Sequence, residues 1–167
     1  MEVLLFRHGP AEPATVDRPD AERALTPRGH ERTLLAAQGL ARVVDRPAAL
    51  LSSPKKRAHQ TACLLGEVFD LPVTPCPELA DEDLPALQRA LRDLTEDAVA
   101  LVGHEPTLGR LAAHLLGIPA RTGAIEVKKA AAVLLDAPFN DHDLPGPATL
   151  QMLLPPRVLR HVGETTA

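Results

Sequence analysis

The sequence predicts a three-layer α/β/α sandwich around a mostly parallel sheet, on three observations. Continuous apolar runs recur near residues 2–7, 48–52 and 98–102, the pattern of strands covered on both faces. Each run ends in a polar turn and leads into a stretch with helical apolar spacing. Strand and helix alternate through most of the chain, as sheets layered between helices require.

The elements follow in order. Glu2 to Arg7 reads as a first strand, and a polar, Pro-rich loop runs from Pro10 to about Leu25. Thr26-Pro27 supplies an N-cap and a first helical residue, with Leu34, Ala37, Ala41 and Val44 as the apolar stripe. A second strand at 48–52 precedes a helix that starts at Ser53-Pro54 and carries Thr61, Leu64, Leu65 and Val68 to about Phe69. Val73-Thr74 marks a short third strand, and Leu84, Leu87, Leu91 and Leu94 an amphipathic helix. The strand at 98–102 is followed by a helix from about Thr107, closed by Gly117. Residues 130–135 and 149–154 read as late strands joined by a turn-rich segment, 138–147, and the tail from Val158 as a short helix before fraying. No repeat or linker divides the chain, so residues 1–167 are expected to form one domain, its tail after about 157 loosely packed.

Composition narrows the function. Of the 167 residues 45% are hydrophobic but only 2% aromatic, so Leu, Val and Ala must build the core around Phe6, Phe69 and Phe139. A net charge of −4 argues against a nucleic-acid partner, which calls for a basic surface. No apolar stretch approaches the ~18 residues of a membrane span. Met1 leads straight into a strand without the pattern of a secretion leader. Cys63 and Cys76 could pair, yet nothing points to secretion, and a cytoplasmic, reduced protein is expected.

Three strand-to-helix junctions carry the chemistry. The first supplies Arg7 and His8, the second Arg57 near a helix N-terminus, and the third His104. Parallel strands place such junctions on one sheet edge, where open α/β sheets bind ligands. Helix N-termini attract anions, and arginine adds a planar fork for phosphate oxygens. A neutral imidazole is a competent nucleophile, and phosphoryl transfer needs mainly positioning and neutralised oxygens. His8 is therefore expected to attack phosphorus, with Arg7, Arg57 and His104 binding phosphate without a metal or other cofactor. Neighbouring cations should hold His8 unprotonated.

These segments resemble the histidine phosphatase superfamily, also called phosphoglycerate mutase-like. Its signature stands here as Arg7-His8-Gly9, then Ser53-Pro54-Lys55-Lys56-Arg57-Ala58-His59-Gln60-Thr61-Ala62, and later Gly103-His104. Leu25-Thr26-Pro27-Arg28-Gly29 matches the family's Leu-Thr-x-x-Gly helix start. The short length is most similar to the SixA-type phosphohistidine phosphatases. The mutase branch is disfavoured: its Ser and Asn after Arg-His-Gly are replaced by Pro10-Ala11-Glu12-Pro13. The resemblance implies the same roles for Arg7, His8, Arg57 and His104. It also points to Glu78 as a general acid, because many relatives hold an acidic proton donor there; Glu105 and Glu12 stay open as alternatives, as does no acid at all.

The expected function is removal of phosphate from phosphohistidine in a signalling protein. The alternatives are a phosphatase for small phosphorylated metabolites or nucleotides, and a phosphate-binding module without turnover. The partner is then a phosphorylated protein or small molecule, with no membrane or nucleic acid; the sequence leaves the oligomeric state open, and a monomer is compatible with it. His30, His59, His114, His142 and His161 read as ordinary surface or core residues. Lys55-Lys56 reads as a solvated first turn, Lys128-Lys129 as sheet-end charge, and Cys63 as a buried small hydrophobe. His59 and Cys63 have metal-pair spacing but lack further ligands.

Overall fold

The computed structural model describes residues 1–119, 125–138 and 147–165. The six strands are β1 (Glu2–Arg7), β2 (Ala49–Ser52), β3 (Val73–Pro75), β4 (Ala98–Gly103), β5 (Ala132–Asp136) and β6 (Thr149–Leu154). They form one sheet in the order β3-β2-β4-β1-β5-β6. The pairs β1–β4, β2–β4 and β2–β3 are parallel, whereas β5 runs antiparallel to both β1 and β6. The helices are α1 (Pro27–Leu40), α2 (Lys56–Phe69), α3 (Leu84–Arg92), α4 (Thr107–Leu115) and α5 (Pro156–Glu164).

Alternation along β1 divides the core. Val3 and Leu5 join Leu87 and Leu91 of α3 and Leu108 and Leu111 of α4 on one face. Leu4 and Phe6 join Leu40 of α1, Leu65 of α2 and Leu159 of α5 on the other. Successive strand side chains point to opposite faces, so an apolar run fills both layers. Burying each such side chain contributes about 1.5–3 kcal/mol. Among the described residues no helix is long and apolar enough to cross a membrane.

Several boundaries differ from the sequence expectation, each for a physical reason. Thr26 does cap α1, its hydroxyl accepting from the Gly29 N–H at 2.9 Å. The buried face of α1 is Thr33, Ala36, Ala37 and Leu40. Of the expected stripe, Ala37 is fully buried, Ala41 and Val44 pack half-buried against the same core from the end of the helix and just beyond it, and Leu34 is only half-buried. Helix α5 covers a further side of α1 and so turns the stripe. Helix α2 begins at Lys56 with Lys55 as its cap residue, not at Ser53-Pro54. The Ser53 hydroxyl is drawn instead to His104. Strand β5 starts at Ala132, because Ala130 has φ +57° and donates its N–H to the carbonyls of Arg7 and His8. Gly117, with φ +68°, follows the α4 cap residue Leu116; bonds from Gly117 N–H to His114 O and from Ile118 N–H to Ala113 O close the helix end.

The tail is not frayed through Thr165. Helix α5 starts at Pro156, and Leu159 is fully buried against α1. Cys63 and Cys76 are both free thiols. Phe139, His142 and most of the turn-rich segment lie outside the described residues.

Candidate active site

The parallel pairing of β1 with β4 sets Arg7 opposite Gly103, and β2 pairs alongside β4. The chain therefore leaves all three strands at the same edge. There it brings Arg7, His8, Ser53, Arg57 and His104 together, with His8, Arg57 and His104 only 5–6% exposed. The His8 and His104 rings lie 5.0 Å apart between centroids, tilted by 52°.

Hydrogen bonds fix the His8 tautomer. Nδ1 lies 2.7 Å from the carbonyl oxygen of Gly9. A carbonyl only accepts, so Nδ1 carries the proton and Nε2 keeps its lone pair. Into that lone pair Arg57 Nε–H donates at 3.3 Å. The Gly9 N–H donates to Thr61 Oγ1 at 3.1 Å, and the Thr61 hydroxyl donates to the carbonyl of Arg57 at 2.8 Å. Thr61, placed by the sequence only along the helix and within the family signature, thus ties the His8 turn to the first turn of α2.

Burial pushes the His8 pKa down to about 4. The Gly9 bond opposes that fall, while Arg57, Arg7 and Lys129 add to it. The sequence expectation of an unprotonated His8 holds, but desolvation is the larger cause and the cations the lesser. His104 is pushed down to about 3, again first by burial and then by His8, Arg57 and Lys55, against which Asp20 acts. Its Nε2 meets Ser53 Oγ at 2.8 Å.

Arg57 is otherwise occupied by Asp20. Nη1 donates to the Asp20 carbonyl at 2.6 Å and Nη2 to its carboxylate at 2.9 Å. Arg57 beside it holds the Asp20 carboxyl well below the usual carboxylate range, with further help from Arg23 and Lys55. Arg7 Nη1 donates to the Val127 carbonyl at 2.9 Å. Arg7 Nε and His104 Nδ1 are buried without a partner among the described residues. Buried polar atoms are normally paired, and an oxyanion beside His8 would supply what these two lack.

The candidate carboxylates are arranged differently. Glu78 sits half-buried in a 3-10 turn (Pro77–Leu79) just past β3, where its Oε2 accepts from the Cys76 thiol at 3.3 Å. Burial, reinforced by Glu78, pushes that thiol up to about 12, so it stays protonated as the donor. Glu105 is bound to backbone, accepting from Val127 N–H at 2.7 Å and Gly109 N–H at 3.3 Å. It clamps the segment before β5 to α4. Glu12 pairs with Arg18 and accepts from Ala24 N–H, bracing the first loop.

Sequence reasoning missed Asp20, the His104 partnership of Ser53 and the role of Thr61. The i, i+4 spacing of Arg57 and Thr61 could have shown that they share a helix face. Nothing in the loop pattern singles out Asp20. Lys55 is not simply solvated, since its Nζ lies 3.5 Å from the Asp20 carboxylate. Lys128 and Lys129 are exposed, yet the charge of Lys129 reaches His8. His59 Nε2 and Cys63 Sγ are 3.7 Å apart, and no group of three metal-ligating side chains occurs among the described residues.

The sequence model of the histidine phosphatase superfamily (branch 1) matches residues 3–87, and the chain belongs to that superfamily. Within it the chain is similar to the SixA type. It is 32% identical over 126 residues to the phosphohistidine phosphatase SixA of Escherichia coli, covering 69% of this chain and 74% of SixA. A structure of the protein histidine phosphatase SixA complexed with tungstate superposes with a TM-score of 0.74 at 28% identity, over 94% of this chain and 98% of that one. The alpha-ribazole phosphatase from Shigella flexneri shares the fold, with a TM-score of 0.71 at 24% identity over 93% and 97% of the two chains.

Proposed function

We propose that this protein is a phosphatase that works through a phosphohistidine formed on His8, with phosphohistidine on a signalling protein as its substrate. The observation that carries the reading is the lone pair of His8 Nε2, held unprotonated and buried beside Arg57. When a phosphoryl group enters, the hydrogen bond donated by Arg57 Nε–H swings from His8 Nε2 to a phosphoryl oxygen, which frees the Nε2 lone pair. Arg7 and His104 take the other equatorial oxygens. Nε2 then forms a bond to phosphorus as the bond to the leaving group breaks in line. The electron pair departs with the leaving group, which takes a proton. Water attacks phosphorus in the second step, the P–Nε2 bond breaks, and inorganic phosphate leaves with His8 restored.

The leaving group decides how much an acid matters. An imidazole leaves readily once protonated, whereas an alkoxide needs a positioned donor, worth about 10²–10⁴-fold. Glu78 is the proposed donor for that second case. The likeness to SixA supports the phosphohistidine substrate; the proposed place of action is the cytoplasm. The second reading, a phosphatase of small phosphorylated metabolites, is favoured by the structural likeness to an alpha-ribazole phosphatase.

Turnover of a phosphohistidine-bearing phosphotransfer domain should exceed that of sugar and nucleotide monophosphates in kcat/KM. Faster hydrolysis of the metabolites would overturn the substrate assignment. Phosphate binding without hydrolysis of any ester or phosphoramidate would reduce the protein to a recognition module.

A further inference from the structure

Asp20 stands at the outer limit of the site. His8, Arg57 and His104 are only 5–6% exposed, whereas the Asp20 side chain is 50% exposed. One carboxylate gathers three cations: Arg57 at 2.9 Å, Arg23 at 2.7 Å and Lys55 at 3.5 Å. Its charge also reaches His104. The backbone helps to hold it in place, because the Asp20 carbonyl also accepts from Arg57. Arg57 has five N–H donors. One faces His8 and two face Asp20, so two remain for a phosphoryl group.

We propose that Asp20 is a specificity-determining residue, which makes the pocket accept one phosphoryl group and reject a second anionic group carried by the same substrate. The proposal rests on the reading of the His8–Arg57 pocket as a phosphate site. A substrate bound by its phosphoryl at His8 must extend outward past the most exposed member of the cluster, and that member is negatively charged. Lys55 and Arg23 would otherwise welcome a second phosphate or carboxylate there, but Asp20 already occupies both. A bisphosphate or phosphorylated carboxylic acid therefore meets a like charge beside Arg57, a costly juxtaposition wherever water is partly excluded. A phosphorylated imidazole carries no such second anion and passes freely.

Two anions that differ only in their second charged group provide the test. Inorganic phosphate and pyrophosphate are titrated by calorimetry into the native protein, Asp20→Asn, Asp20→Ser and Asp20→Glu. The ratio of affinities, pyrophosphate over phosphate, should rise about tenfold in Asp20→Asn and Asp20→Ser and stay near native in Asp20→Glu. In kinetics the same two neutral variants should gain on a sugar bisphosphate relative to p-nitrophenyl phosphate. Equal weakening of both anions in the neutral variants, with the ratio unchanged, would show that Asp20 merely anchors Arg57 and would overturn this proposal alone. A native protein that binds neither anion would overturn the pocket reading as well. A shifted binding ratio in a protein that hydrolyses nothing would support the role of Asp20 while refuting the phosphatase.

Discussion

At His8 three influences compete for one proton. Burial strips water from the imidazolium, the Gly9 carbonyl favours it, and the guanidinium groups oppose it. Desolvation wins, leaving the pKa at about 4, and His104 follows at about 3. Both values lie below the ~6.5 of a free imidazole. The unfolded chain therefore binds more protons than the folded one between those limits, and stability rises with pH across them. The contribution is fully present above about pH 6.5 and is lost as pH falls through about 4 for His8 and about 3 for His104. Unfolding free energy measured in urea should thus drop by a few kcal/mol between pH 6.5 and 4. Imidazole resonances of His8 and His104 that titrate near pH 6.5 would contradict this. The placement of Arg7, His8, Arg57 and His104 at one edge was legible because each ends or directly follows a strand or opens a helix. Asp20 and the Ser53–His104 bond were not, since both depend on which loop a side chain meets after folding. Ser53 can cap a helix or serve a histidine, and the sequence shows only the first option.

Between elements, α1 and α5 approach each other backbone to backbone. A Cβ built on Gly39 would strike the Leu159 carbonyl, and one on Gly163 would strike the Leu35 carbonyl. Both obstacles are backbone, so neither can swing aside. The Ala substitution gains up to about 1 kcal/mol in helix propensity, but overpacking costs about 1–3 kcal/mol. With a backbone contact the cost wins. Gly163→Ala should lower the melting temperature by several degrees, in line with ~2–4 °C per kcal/mol for a chain of this size. An unchanged or raised melting temperature would show that α5 is not seated as described. This contact explains why the tail looked loose in the sequence: its anchor is a pair of glycines, and glycine has no side chain to read in an apolar pattern. Helix α1, by contrast, was announced by Thr26-Pro27, whose cap chemistry is local and complete within four residues.

On the scale of the whole molecule, the parallel run of β1, β2 and β4 was readable from buried runs alternating with helices. The reversal of β5 was not, because hydrophobic periodicity does not encode strand direction. That reversal has a consequence at the site. Running antiparallel to β1, β5 brings its incoming segment to the edge where β1 leaves. Val127 there accepts from Arg7, and Lys129 adds its charge at His8. Parallel neighbours supply His104 and Arg57, and the antiparallel neighbour steadies Arg7. The site thus depends on mixed sheet topology that no single motif contains. Glu105 links the two halves, since its carboxylate spans from α4 to the segment entering β5.

The central claim is that one imidazole nitrogen forms the covalent bond to phosphorus. The native protein and His8→Ala are mixed briefly with labelled phosphoramidate or phosphohistidine protein, quenched without acid, digested and mapped. The account predicts label on Nε2 of His8 in the native protein, and neither label nor turnover in His8→Ala. Label on another residue, or undiminished hydrolysis in His8→Ala, would contradict it.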